Sequence, residues 1–304
     1  MKHKPPHTIE TVSEMHTYLG LPKPMHPLVS FHRFEQINFR NEKGYELYNT
    51  QFYSIAVKKN FKGKIRYGQS FYDFDEGMMS FIGPGQLLGP AVGTMVPTEG
   101  YCLLFHPEFL NGYPLTADIK DFNFFSYELN EALHLSEQEE KLIESLMLQI
   151  ECEYKTSIDT LSQDVMISYI TLLLQYCQRF YNRQFVTRKP ANNDMLSKLD
   201  RLLDEYLDNG TASNEGLPHV KYFAELLNVS AGYLSDMLRA TTGVSTQIHI
   251  QNKLIEKTKQ LLSGTDLSVS EVAYQLGFER PQSLSKFFKS KTNLSPSDYR
   301  NSLN

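Results

Sequence analysis

The chain has 304 residues, of which 41% are hydrophobic and 21% charged, and its formal net charge at pH 7 is −5. This length accommodates two domains and is too short for four, and the composition is typical of a soluble globular protein. No apolar run is long enough to span a membrane, and the first residues contain no apolar stretch that could act as a signal peptide. We therefore expect a cytoplasmic protein without a membrane partner.

The three cysteines lie in apolar surroundings, and none belongs to a C-x-x-C pair. For Cys102, Cys152 and Cys177 we expect reduced, buried thiols without a redox or metal-binding role. The sequence also contains no nucleophile motif, no glycine-rich phosphate loop and no cysteine-based zinc pattern. It therefore predicts a protein that is not an enzyme and that needs no cofactor.

Residues 31–107 have the pattern of short strands separated by turn residues. The strand-like segments are 52–57, 70–74, 78–82 and 100–105, and the segments between them are rich in glycine, aspartate, lysine and proline. Closely spaced strands of this kind favour a small antiparallel barrel or jelly roll. The aromatic residues of this region could line a ligand pocket or fill the core, and the sequence alone leaves both open.

Two helices are predicted after the strands. A capping box formed by Ser136 and Glu139 begins a helix that runs to about residue 154, and a second helix covers about 158–185. The second helix carries an apolar stripe, which consists of Tyr169, Phe180 and the four candidate dimer-seam residues Leu161, Val165, Leu172 and Tyr176. Such a stripe either forms a dimer seam or packs against the preceding strands.

A polar, proline-containing segment at 187–194 is the predicted linker between two domains. The N-terminal domain would cover 1–186, with a helical extension over about 136–185. The C-terminal domain would cover 195–304.

The C-terminal domain contains the same pattern twice. Three positions of the first copy recur 49 residues later, and three more recur 50 residues later: Ala224, Leu227 and Val229 return as Ala273, Leu276 and Phe278, and Leu234, Leu238 and Gly243 return as Leu284, Phe288 and Asn293. A small residue in one helix, a tight turn and a second helix with apolar residues four apart is the layout of a helix-turn-helix unit. The units would cover about 217–243 and 268–293, and the ten apolar positions should be buried.

Local signals mark the ends of these helices. Ser230 is a natural N-cap for the second helix of the first unit, and Gly243 is a natural stop. Ser268 and Glu271 form a capping box in the second unit, where Gly277 supplies the turn. A connecting helix is predicted over 246–263.

From Gly216 to its end the chain has ten basic and seven acidic side chains, a net charge of +3, which leaves −8 for the rest. A basic module on an acidic body favours nucleic-acid binding. The segments 270–278, 287–289 and 295–300 resemble the signature of the DNA-binding domain of AraC/XylS-type transcription regulators, and the likeness covers about 195–304.

The resemblance implies an α+β multidomain chain, with a cupin-like β-barrel and its helices followed by an all-α double helix-turn-helix domain. It implies double-stranded DNA as a partner and a homodimer formed through the helices before the linker. A small-molecule effector in the barrel and RNA polymerase are further candidate partners. The function expected is therefore that of a sequence-specific DNA-binding transcription regulator, with the effector pocket unassigned.

The second helix of each unit would enter the major groove, so its polar face supplies the candidate DNA-binding residues. These are Gly232, Tyr233, Ser235, Asp236 and Arg239 in the first unit and Arg280, Gln282, Ser283, Ser285, Lys286 and Lys289 in the second. Asp236 stands where many relatives carry a basic or amide residue. It could accept a hydrogen bond from cytosine or pair with Arg239 one turn along, and both interpretations stay open.

The alternative function is a cupin-type enzyme or sugar-binding protein with a tail that localises it to DNA. A metal-dependent cupin needs a cluster of imidazoles and a carboxylate. None of the nine histidines belongs to an H-x-H pair. His106, alone at a strand end, is expected to pack or to cap a turn, so no metal site is predicted.

Overall fold

The computed structural model describes residues 7–38, 48–59, 65–67, 70–72, 77–88, 99–128 and 131–302, with only the backbone at 65–67, 70–72 and 189–190. The chain divides into two compact units, an N-terminal unit (Met1–Gln184) and a C-terminal unit (Phe185–Asn304). Within the described residues, no helix combines the length and the apolar character needed to cross a membrane.

Short strands alternate with a few helices in the N-terminal unit. In chain order these elements are β1 (His7–Ile9), α1 (Val12–Leu19), β2 (Val29–Arg33), β3 (Tyr48–Thr50), β4 (Tyr53–Lys59), β5 (Ile65–Tyr67), β6 (Ser70–Tyr72), β7 (Met78–Ile82), β8 (Leu87–Leu88), β9 (Glu99–Phe105), α2 (Leu115–Asp118), β10 (Leu133–His134), α3 (Glu137–Lys155) and α4 (Ser162–Thr187). Strands β4, β7 and β9 match three predicted segments. Strand β6 matches the beginning of the fourth, whose last two residues lie outside the described residues.

The strands form an antiparallel five-stranded sheet in the order β10-β7-β4-β9-β2, a three-stranded sheet in the order β1-β3-β8, and a β5–β6 hairpin. The five-stranded sheet is open, because its edge strands β10 and β2 do not pair with each other. The strands that the structure describes therefore form no closed barrel, and the expected barrel is not confirmed. Closure needs hydrogen bonds between edge strands that are distant in sequence, which strand patterning does not encode.

Each face of the five-stranded sheet is covered by different elements. On one face, Met79 contacts Cys177 of α4, with their sulfur atoms 3.9 Å apart, and Lys59 pairs with Glu144 of α3. On the other face, Ala56, Cys102 and Leu104 pack with β1 and α1 in one buried cluster. The alternation of side chains along each strand produces this two-sided core.

Helix α4 buries one side and exposes the other. Its buried residues include Ile170, Leu174 and Tyr181, whereas Val165 and Leu172 are 37% and 40% exposed and Tyr176 is half-buried. Leu161, which directly precedes the helix, is 60% exposed. Phe180, which the sequence placed in the same stripe, is buried. Three of the four candidate seam residues are therefore exposed, and the fourth, Tyr176, is partly covered.

Two expectations differ from the structure. Residues 187–194 are helical except at Arg188, because Pro190 lies in the first turn of the next helix, where the missing N–H costs no hydrogen bond. Cys102 and Cys177 are buried as expected, but Cys152 is exposed on α3. Its apolar neighbours in the sequence lie on other sides of that helix.

The C-terminal unit is helical. It contains α5 (Lys189–Asp208), α6 (Thr211–Glu215), α7 (Val220–Leu227), α8 (Ala231–Thr242), α9 (Thr246–Gly264), α10 (Val269–Gln275), α11 (Pro281–Thr292) and α12 (Pro296–Asn301). The pairs α7–α8 and α10–α11 are the two predicted helix-turn-helix units, and α9 is the predicted connecting helix. Eight of the ten repeated apolar positions are buried, and Leu227 and Val229 are half-buried.

A ladder of one histidine–carboxylate hydrogen bond and two ion pairs joins α5 to the connecting helix α9. His249 Nε2 lies 2.8 Å from Asp200, Lys253 Nζ lies 3.3 Å from Asp204, and Lys257 pairs with Asp208. The partners advance by four residues on each helix, so the two helices run in the same direction. This ladder fixes α5 along α9, the helix that connects the two helix-turn-helix units.

Candidate DNA interface

The turn of the first helix-turn-helix unit is set by its capping residues. Asn228 ends α7 in the left-handed region with φ = +56°, a conformation that asparagine tolerates better than most residues. Ser230 then caps α8, its Oγ accepting a hydrogen bond from the Tyr233 N–H at 3.1 Å. Gly243 ends α8 with φ = +82°. The cap and the stop are where the sequence predicted them.

The second unit uses a capping box and a glycine turn. Ser268 and Glu271 exchange hydrogen bonds of 3.2 and 2.7 Å, which hold the pKa of Glu271 below its usual value. Gly277 has φ = +83°, and a Cβ there would lie 2.5 Å from the backbone of Gly216. Asn293 ends α11 with φ = +63°. The turn therefore requires glycine for both its conformation and its close backbone contact.

The last helix stabilises the segment that leads into the second unit. Arg300 of α12 donates hydrogen bonds from Nε to the Leu262 carbonyl at 2.9 Å and from an Nη to the Leu267 carbonyl at 2.7 Å. These two carbonyls flank the connection between α9 and α10. A charge-assisted contact at this position orients α10, and through it α11.

Helix α11 presents a polar and basic face. Arg280, Gln282, Ser283, Lys286 and Lys289 are exposed, and the described residues provide no carboxylate partner for the three cationic ones. Ser285 is half-buried, and its hydroxyl donates to the Pro281 carbonyl at 3.1 Å. The opposite face holds the buried Leu284 and Phe288. This helix is oriented so that its candidate residues face solvent.

Helix α8 is more covered than α11. Tyr233 is only 1% exposed and contacts the ring of Phe185, with the ring centroids 5.1 Å apart. Asp236 is 9% exposed and pairs with Arg239, whose Nη1 lies 3.2 Å away. Gly232 and Ser235 are half-buried, and Arg239 is exposed. The expectation that Tyr233 faces DNA is therefore wrong, since Phe185 covers it.

A Helix-turn-helix domain family model matches residues 223–302 of the chain. The chain is 28% identical over 131 residues to the Escherichia coli K12 protein "Uncharacterized HTH-type transcriptional regulator YijO", a match that covers 43% of this chain and 44% of the relative. It is 32% identical over 77 residues to the "HTH-type transcriptional activator RhaS" of E. coli O139:H28, covering 25% and 28%. The chain thus spans less than half the length of either curated relative.

Among solved structures, the chain is similar to the C-terminal domain of the two-component response regulator yesN from Fusobacterium nucleatum. That match has 30% identity and a TM-score of 0.31, and it covers 35% of this chain and 98% of the other. The residues that the family model matches run from within α7 to α12 and therefore cover the repeated helix pairs. The C-terminal unit contains an AraC-type helix-turn-helix domain.

In the AraC-type domain, the sequence predicted the exposed face correctly on one recognition helix and not on the other. On α11 the buried positions 284 and 288 defined the exposed face correctly. On α8 the corresponding buried positions 234 and 238 did not define the exposed face. Phe185, which covers Tyr233, lies 48 positions before it in the chain. The Asp236–Arg239 pair was one of the two interpretations left open. No local sequence signal marked Phe185, apart from its place in the helix that carries the apolar stripe.

Outside the AraC-type domain, the described residues contain no group of three or more histidine, cysteine, aspartate or glutamate side chains placed to hold a metal ion. His106 caps a short 3-10 turn, its Nδ1 accepting a hydrogen bond from the Glu108 N–H at 3.3 Å. The expectation that His106 caps a turn is confirmed.

Proposed function

We propose that this protein is a sequence-specific transcription regulator that binds double-stranded DNA through α8 and α11 of its AraC-type domain. The observation that carries the proposal is the exposed face of α11, which combines the amide of Gln282 with the cations of Arg280, Lys286 and Lys289, for which the described residues provide no carboxylate partner. Amide and basic side chains are those that read base edges and bind phosphate.

The two recognition helices would contribute unequally. On α11, Gln282, Ser283 and Lys286 are proposed to read bases, with Arg280 and Lys289 on phosphates. On α8, Arg239 is the exposed side chain, and Gly232 and Ser235 leave room for close approach of the DNA backbone. Asp236 is proposed to orient Arg239 through their ion pair, not to contact DNA itself.

Selection of genomic fragments by the purified full-length protein, followed by footprinting, tests this function. Two recognition helices on one domain should protect two major-groove segments about 10 bp apart, in a long and asymmetric site. A matched control is Lys141→Ala on α3 of the N-terminal unit, which should leave the footprint unchanged. Protection of one groove segment per monomer, or selection of no preferred sequence, would contradict the proposal.

We also propose that the protein is a homodimer and that α4 forms its seam. The support is the exposure of Val165 and Leu172 on this helix and of Leu161 directly before it. Dimerisation would tether two DNA-binding domains, so that the second binds at high effective concentration. RNA polymerase is the partner proposed for a regulator that activates transcription.

A small molecule in a cupin-like N-terminal unit is proposed to control this activity. The support is a cavity between its two facing sheets, lined by residues from both of them. Control requires that the effector bind two arrangements of the protein with different affinity. Measurement of DNA binding with and without a bound effector tests this step.

A further inference from the structure

A cavity of about 230 Å³ lies between the five-stranded sheet and the β1-β3-β8 sheet, with α1 at one side. Four register partners, one on each of four adjacent strands, line one wall: Ser80, Ala56, Cys102 and His32. Three of these side chains are small, so they leave space that larger residues would fill. The volume is below that of pockets for drug-sized molecules, so its ligand should be small.

Lys58 brings a positive charge to this cavity. Along β4, Ala56 and Lys58 are on the cavity side, whereas Lys59 is on the opposite side and pairs with Glu144. Lys58 is half-buried, and none of the described carboxylates pairs with it. Burial lowers the pKa of the Lys58 ammonium. An unpaired, partly desolvated cation is destabilising unless an anion compensates it.

His32 lines the same cavity and carries a polar atom that is not used elsewhere. The residue is 4% exposed, and its Nδ1 is buried without a hydrogen-bond partner. The neighbouring His16 ring, 6.0 Å away, is held separately by the Pro22 carbonyl and the Ser30 hydroxyl. Burial lowers the pKa of His32 to about 3, so this imidazole is neutral at pH 7. Buried polar atoms without partners are uncommon in native proteins.

The remaining described lining is apolar or hydroxyl-bearing and contains no acidic residue. It includes Phe52, Ile82, Leu88 and Leu104. A ligand that complements this surface has one negative charge, a compact apolar body and a second polar atom. We propose that the cavity binds a small organic carboxylate, whose carboxylate group pairs with Lys58 Nζ and whose second polar atom forms a hydrogen bond with His32 Nδ1.

The effect of this ligand on DNA binding rests on the proposed function, but its binding to the cavity does not. A regulator with such a cavity would sense an acid and would not sense a neutral sugar. The same unpaired ammonium predicts that the empty cavity lowers the stability of the protein. Replacing Lys58 with an apolar residue of similar length should therefore raise the melting temperature while it removes binding.

Isothermal titration calorimetry with the full-length protein tests the proposal. The probes are hexanoate, cyclohexanecarboxylate and 4-hydroxyphenylacetate, each beside its neutral amide. We expect carboxylates to bind at least about ten-fold more tightly than their amides, as the loss of a charge-assisted contact implies. Lys58→Met should abolish this preference and raise the melting temperature, whereas the matched control Lys59→Met should retain the preference.

A second variant tests the hydrogen bond. His32→Phe should weaken 4-hydroxyphenylacetate more than hexanoate, which has no second polar atom. Failure of all three carboxylates to bind the unaltered protein, or equal binding by Lys58→Met, would overturn the proposal. Preferential binding of the amides would also overturn it. Carboxylate binding without sequence-specific DNA binding would instead contradict the proposed function alone, so the two failures are distinguishable.

Discussion

Phe185 packs edge-to-face on Tyr233, with an angle of 70° between the ring planes, and both side chains are almost fully buried. Asn192 holds this contact in place, because its Nδ2 donates to the Phe185 carbonyl at 2.5 Å. The residues that open the C-terminal unit therefore cover part of the first recognition helix. The conformation of α8 depends on a contact made outside the helix-turn-helix unit itself.

Phe185→Ala should destabilise the C-terminal unit by about 3–5 kcal/mol, because it removes a buried ring and leaves a cavity beside α8. Urea unfolding of the full-length protein, followed through tyrosine fluorescence, would measure the loss. Tyr274→Ala is the matched control, since Tyr274 is 55% exposed on α10 and its truncation should change stability little. Equal losses in the two variants would show that the Phe185–Tyr233 contact is not specifically stabilising.

Substitutions on α11 should separate base reading from phosphate binding. Gln282→Ala or Lys286→Ala should lose about 1–3 kcal/mol of discrimination between the selected site and random DNA. Lys289→Ala should weaken both alike and reduce the slope of log affinity against log salt by about one. Gel-shift titrations at several salt concentrations would measure both effects. The assignment fails if every variant weakens specific and random DNA equally.

The proposed dimer seam predicts a monomeric variant. Leu161→Glu combined with Leu172→Glu should abolish dimers, because two charges replace apolar side chains that would be buried in the interface. Both positions are exposed in the single chain, so the variant should fold. Gln175→Glu, at an exposed position on the same helix, is the control. Analytical ultracentrifugation of the unaltered protein that gave only monomer at micromolar concentration would exclude the seam.

The buried histidines predict that stability falls in acid. His32 has a pKa of about 3 in the folded protein and about 6.5 in the unfolded chain, chiefly because burial disfavours its charged form. Between these pH values the unfolded state binds more protons than the folded state. The contribution of neutral His32 to the free energy of unfolding is therefore complete above about pH 6.5 and is lost as the pH falls toward 3. Between pH 6 and 4, His32→Asn should reduce the slope of the free energy of unfolding against pH by about 1.4 kcal/mol per pH unit.

His16 contributes to the same trend, because burial lowers its pKa as well. The slope of the His32→Asn variant should therefore be reduced and not abolished. Denaturant unfolding at several pH values would measure both proteins. Parallel pH profiles for the variant and the unaltered protein would contradict the burial of a neutral His32.

Features that depend only on neighbouring residues were predictable from the sequence. Ser230 and Ser268 cap α8 and α10, and Gly243 and Asn293 end α8 and α11, because a cap or a left-handed stop needs only the side chains and backbone within one turn. The repeat of apolar positions placed the buried face of α11 in the same way. The duplicated helix-turn-helix domain was therefore predictable in most of its detail.

Features that depend on residues far apart in the chain emerged only from the folded arrangement. The pairing order of the described strands put β2 and β10 at opposite edges of the five-stranded sheet, and Phe185 covered Tyr233 on a helix whose sequence suggested exposure. The cavity beside Lys58 arises because four strands place Ser80, Ala56, Cys102 and His32 in one row. No local pattern encodes such a row, since its register is set by long-range hydrogen bonds between strands and by burial of a common face.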